Sequence, residues 1–166
     1  MPEVKDRVDA SSVGEEKKIP AVELATEMYK NITMGSDAIL HLLPKINDKS
    51  RNAASLKTHM TASMCFYEKM AGKIKNILTS HHAEAKEESW MTRTMARMGI
   101  AMNTAMDPTD SHIAQMIIEG STMAITEMTR LSHQFKKQKD CAELISMAEE
   151  IVAFEQGQIE RMKQYL

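Results

Sequence analysis

The chain has 166 residues, 43% of them apolar and 27% charged, and a formal net charge of −2. That balance predicts one soluble globular domain with a sizeable core. Acids and bases are interleaved, which argues against the concentrated basic face of a nucleic-acid binder, and no apolar run approaches the roughly 18 residues of a membrane span.

Residues 1–18, MPEVKDRVDASSVGEEKK, are polar and aperiodic and read as a flexible tail preceding a single domain over 19–166. The tail has no apolar segment of the secretory kind. Cys65 and Cys141 fit neither a disulfide framework nor a C-x-x-C motif. Both features point to a reducing, cytoplasmic setting.

Ile19-Pro20 opens the first predicted helix, with proline where its missing N–H does no harm. Ala21, Leu24, Met28, Ile32, Gly35, Ile39 and Leu42 then recur at steps of three and four, which puts them along one helical face. Pro44 ends the pattern. The turn KINDKS offers Asp48 and Ser50 as caps. A second stripe runs through Ala53, Leu56, Met60, Met64, Tyr67, Met70, Ile74 and Leu78 to a break at Thr79-Ser80. His81-His82 at that junction reads as an exposed loop pair, because neighbouring positions on a helix face different ways.

A third helical stretch is expected from about 83 to 106. The segment Asp107-Pro108-Thr109-Asp110 is a clear stop and restart, since proline pushes the residue before it out of helical geometry and Thr109 or Asp110 can cap the next helix. The next stripe is Ile113, Ile117, Gly120, Ala124, Met128, Leu131 and Phe135. After KKQK, Asp140 is the expected cap of a last helix carrying Leu144, Ala148, Ile151, Glu155, Ile159, Met162 and Leu166. Nothing alternates with period two for the length of a strand.

The chain also resembles itself. Ile32-Thr33-Met34-Gly35 aligns with Ser121-Thr122-Met123-Ala124 at an offset of 89. Ala54, Leu56, Phe66, Lys75 and Leu78 meet Ala142, Leu144, Phe154, Lys163 and Leu166 at an offset of 88. Two equivalent hairpins packed side by side need a connection as long as the bundle. The expected fold is therefore all-α: an antiparallel, ferritin-like bundle of two helical hairpins joined by a long helical crossover.

Methionine is the compositional anomaly, with 16 against nine leucines. Met91, Met95, Met98, Met102 and Met106 share one face of the predicted crossover. Such a face suits docking on the bundle through flexible side chains that fill irregular gaps, or a surface for self- or partner association. Thioether ligation of a soft ion such as Cu(I) is a further reading. A second cluster, His59, Met60, Met64 and Cys65, gathers imidazole, thioether and thiol donors, although Met60 and Met64 already sit on the core stripe.

A di-iron bundle takes a Glu from each of two helices and Glu-x-x-His from the other two. Here Glu68-x-x-Ala71 and Glu155-x-x-Gln158 both lack the histidine, with Glu27 and Glu119 as the single glutamates. That composition speaks against such a centre. Glu155 is odd on an apolar stripe, and is expected either to find a buried partner or, by preference, to be turned out to solvent. No nucleophile motif or phosphate-cradling glycine loop is present.

The stretch from 113 to 166 resembles a family of ferritin-like, histidine- and methionine-rich helical bundles. The resemblance rests on Met116-Ile117, on Met123-Ala124-Ile125 with Met128, and on Ala148, Ile151, Ile159, Met162 and Leu166. Glu119-Gly120 stands where that family carries a His-His pair, and the Ala-Ile-x-Met spacing is one residue longer. The resemblance thus implies the fold and not the copper associated with some of its members. The functional expectation is a non-enzymatic bundle, a homo-oligomer or the binder of a protein partner, acting through the methionine face. Its alternative is soft-metal binding, with copper at His59, Met60, Met64 and Cys65.

Overall fold

A computed structural model describes residues 19–86 and 109–166, and among these the regular elements are all helical. Four helices pack against one another: α1 (Pro20–Leu42), α2 (Ala53–Ser80), α3 (Asp110–Phe135) and α4 (Ala142–Met162). Residues 83–86, the expected start of the crossover helix, carry no helix, and its five methionines, Met91 to Met106, lie outside the described residues.

Local chemistry sets the helix ends. Ile19 is extended and Pro20 takes the first helical position of α1. Pro44 falls in a short 3-10 turn, Leu43–Lys45, that closes the helix. The hydroxyl of Thr109 caps α3 by accepting from the backbone N–H of His112 at 3.2 Å. Asp140 does not cap α4, because Lys139–Cys141 forms a 3-10 turn ahead of it.

The end of α2 explains the histidine pair. The N–H of Ala83 bonds to the carbonyl of Leu78 at 2.9 Å and that of His82 to Thr79 at 3.0 Å, with His82 left-handed at φ 56°. These are the two bonds of a Schellman C-cap, with histidine at the position that favours glycine. Both rings are exposed.

Packing follows the stripes. α1 lies along α2 and α3 along α4, each pair closely, whereas α1 and α3 touch far more sparsely. Leu24, Met28, Leu56, Met60, Ile113 and Met128 are among the side chains sealed in the common core.

The relative directions follow from contacts at one end. Ser50, in the α1–α2 turn, donates to the carboxylate of Asp110 at the start of α3. Ser55, early in α2, shares a 2.5 Å hydrogen bond with Tyr165, just past α4. So α1 and α4 finish where α2 and α3 begin.

The internal repeat is visible in space. Phe66 stacks on Phe154 with ring centroids 3.7 Å apart and planes 6° from parallel. These are equivalent positions of the two hairpins. A residue that touches its own counterpart lies on a twofold axis, so an approximate axis passes between α2 and α4 at this stack.

The structure moves several expected positions, among them Met64, half-buried beside the buried Ser63, and Leu166, exposed beside the buried Tyr165. Glu155 is turned inward at 2% exposure rather than out to solvent. In α3 the buried position is Ser121, with Gly120 exposed; in α4 it is Gln158, with Ile159 only half-buried.

The left-handed His82 gives a direct test. Replacing it with glycine should raise unfolding stability by about 1 kcal/mol, since the β-carbon penalty at positive φ is removed. Urea melts of His82→Gly read this; an unchanged or lower midpoint would count against the cap.

Candidate functional site

The sparse α1–α3 seam holds a cleft of about 70 Å³. Its walls are built from counterparts in the repeat. Asn31, Ile32, Met34 and Gly35 of α1 face Gly120, Ser121, Met123 and Ala124 of α3, in the same order at the offset of 89. The cleft therefore straddles the approximate twofold axis marked by Phe66 and Phe154. Small residues on both helices keep the seam open.

Tyr67, Glu155 and Gln158, from α2 and α4, also line the cleft. Gln158 donates through Nε2 to Tyr67 Oη at 3.2 Å and to Ser121 Oγ at 3.1 Å. The Ser63 hydroxyl donates to Gln158 Oε1. Tyr67 Oη donates in turn to Glu155 Oε1 at 2.8 Å. The chain of donors thus ends on one oxygen of a buried carboxyl. The other oxygen, Oε2, is buried and has no hydrogen-bond partner among the described residues.

Such an oxygen is costly to leave unpaired, and more so when charged. Burial accordingly pushes the Glu155 carboxyl above its ordinary value, against the pull of the Ser121 and Tyr67 hydroxyls and of the Arg161 charge. Burial also holds the Tyr67 phenol well above its usual value, with the Glu155 charge and hydrogen bond adding to the effect. Because Oε1 already accepts from Tyr67, the neutral acid carries its proton on Oε2.

Gly35 makes room for this arrangement. A β-carbon there would lie 3.2 Å from the Tyr67 ring, whereas one at Gly120 would meet nothing within 4 Å. Position 35 is a close approach to the tyrosine ring, and position 120 is open space.

The sequence-predicted donors fall elsewhere on α2. Met60 is sealed in the core, and Met64 is half-buried against it one turn further on. Cys65 is exposed and free, and His59 lies edge-on to Tyr165 with centroids 6.1 Å apart. At about 100° per residue, Met60 and Cys65 point some 140° apart. Of the four glutamates weighed for a di-iron centre, Glu68 and Glu119 are exposed, Glu27 pairs with Lys30 at 2.9 Å, and only Glu155 faces inward. Among the described residues no three His, Cys, Asp or Glu gather as a metal site.

Sequence reasoning noticed Glu155 but missed Tyr67, Ser63, Ser121 and Gln158 as a group. The available signal was polarity at core spacing: Ser63 lies three residues after Met60, and Gln158 three after Glu155. Comparison with protein-family models, curated proteins and solved structures finds no match for the chain.

Two outcomes test the site. Ionising a carboxyl whose folded-state value is raised opposes folding. The neutral acid's contribution is therefore full below the ordinary carboxyl range and is lost as pH rises through the raised value. Glu155→Gln, which keeps an acceptor for Tyr67, should remove that decline and exceed wild type by about 1–3 kcal/mol at pH 7, with the gap closing toward pH 4. Parallel denaturation curves with no pH-dependent gap would refute it. Gly72→Ala, in open space on α2, should stabilise by about 1 kcal/mol through helix propensity, and Gly35→Ala should forfeit that gain by displacing Tyr67. Equal stabilisation by both would show that the ring yields freely.

Proposed function

We propose that this chain is a non-catalytic, ferritin-like helical bundle whose function is binding, and that the α1–α3 cleft receives a small, largely apolar molecule. The carrying observation is the Glu155 Oε2, without a partner among the described residues, on a side chain that lines a largely apolar cleft. Small-molecule sites are concave and mostly apolar, with a few convergent polar groups that fix orientation. Met34, Met116, Ile117 and Ile39 supply the apolar walls, and Glu155, Asn31 and Ser121 the polar points.

The ferritin-like arrangement is supported by the opposite ends at which α2 finishes and α3 begins, which call for a connection along the bundle. Binding rather than catalysis is supported by the network itself. Among the described residues, the donors of Ser63, Gln158 and Tyr67 are spent on internal acceptors. The methionine side chains suit an adaptable wall, since an unbranched thioether re-packs around differing shapes.

Methionine methyl groups provide the test. With [methyl-¹³C]Met-labelled protein, hexan-1-ol should shift the resonances of Met34, Met116 and Met123 in a saturable way. Core methionines such as Met28 and Met70 should stay in place. Gly120→Leu fills open space and should abolish the response while leaving the fold intact. If no cleft methionine responds to any six-carbon probe, the cleft is not a binding site.

A further inference from the structure

The polar wall of the cleft is unbalanced, and the imbalance names a ligand class. Gln158 and Tyr67 commit their donors within the network, as their bonds to Ser121, to each other and to Glu155 show. The Asn31 amide, which both donates and accepts, lines the cleft, and Glu155 in its ionised form adds an acceptor, Oε2, on a residue 2% exposed and without a partner for that oxygen among the described residues. Among the described residues, Glu155 and Tyr67 are the titratable side chains lining the cleft, and no basic side chain lines it. Among the described residues, the titratable neighbours of the carboxyl are the neutral Tyr67 phenol from α2 and the charged Arg161 on its own helix; α1 and α3 present no charged side chain to the cleft. Arg161 is engaged with the Phe154 ring, 5.4 Å from its centroid, and does not line the cleft.

We infer that the cleft binds the protonated head of a small aliphatic amine, with the ammonium on Glu155 Oε2 and the alkyl body between Met34 and Met123. This rests on the cleft being the binding site, as proposed above. An anion would meet a carboxylate with no compensating cation. A neutral alcohol brings one donor and no charge. An ammonium brings three donors and a full charge to offset the buried carboxylate, leaving further N–H groups for Ser121 Oγ and Asn31. A void of about 70 Å³ compares with roughly 30 Å³ per water molecule, so it admits the amine head and its first carbons while a longer body emerges through the seam.

The occupancy is linked to protons. Below the raised carboxyl value the ammonium must displace the proton from Oε2, which leaves as a free proton, and the ion pair remains. Amine binding then weakens as pH falls, whereas binding of an alcohol does not.

Hexylamine, hexan-1-ol and hexanoate, titrated into the full chain at pH 7 and followed by the methionine methyl resonances, separate the cases. Hexylamine should bind at least about tenfold more tightly than hexan-1-ol, and hexanoate should not bind. Glu155→Gln should erase the amine's advantage and leave hexan-1-ol unchanged. In the wild type, hexylamine affinity should fall between pH 7 and pH 4 with proton release into the buffer, which reads the same point without any variant. Equal affinity for amine and alcohol, or an amine preference surviving in Glu155→Gln, would overturn the ligand class while leaving the cleft in place. A failure of all three probes to move the cleft methionines would overturn the cleft itself.

Discussion

The hydrogen bond from Tyr67 to Glu155 is the constraint around which the middle of the bundle is arranged. It joins equivalent positions of the two hairpins, next to the Phe66–Phe154 stack, and so sits at the approximate twofold axis. A β-carbon at Gly35 would lie 3.2 Å from the ring and require it to shift by a few tenths of an ångström. The carboxyl's second oxygen is left without a partner among the described residues, on a side chain that lines the seam between α1 and α3. One bond thus links the small residues of α1, the burial of an acid on α4 and the polarity of the cleft.

The axis also shows where the repeats have diverged. Under the offsets that align them, Ser63 corresponds to Ile151, Gln158 to Met70 and Ser121 to Ile32. Each polar member of the network has an apolar counterpart, and Tyr67 itself corresponds to Glu155. A symmetric pair of hairpins would place like against like on the axis: two acids would repel and two apolar residues would simply pack. Polar replacement on one side of each pair yields a connected chain of donors and acceptors instead. Networks of this kind are unfavourable unless nearly every member is satisfied. Here, among the described residues, every buried member but one oxygen is, and the carboxyl that carries that oxygen lines the cleft.

Much of this fold was legible in the sequence, for a simple reason: apolar side chains at three- and four-residue steps report which face is buried. Leu24, Met28, Leu56, Met60 and Leu131 fell where their spacing required. The stop at Pro44 and the cap at Thr109 were equally direct, since each acts through its own backbone neighbours. The errors cluster at the site. A stripe drawn through apolar residues passed through Gly120 and Ile159, one position from the buried Ser121 and Gln158. Polarity made those two look external. Only the partner on another helix, out of reach of any local pattern, makes their burial affordable. The same blindness applied to Glu155, whose partner Tyr67 lies 88 residues away.

The methionines acquire different meanings from their positions. Met28, Met60 and Met70 are sealed core residues, where a thioether substitutes for leucine. Met34 and Met123 are counterparts across the axis and only half-buried, because the seam between their helices is held open by Gly35, Ala38, Gly120 and Ala124. Leucine in their place would present a branched, shorter side chain with fewer rotamers to a gap that no helix among the described residues fills. An unbranched chain with three rotatable bonds can lie across such a gap or swing from it. At the seam, then, a flexible residue covers an opening above a fixed polar network, so that adaptability and preorganisation are divided between the mouth of the cleft and its floor.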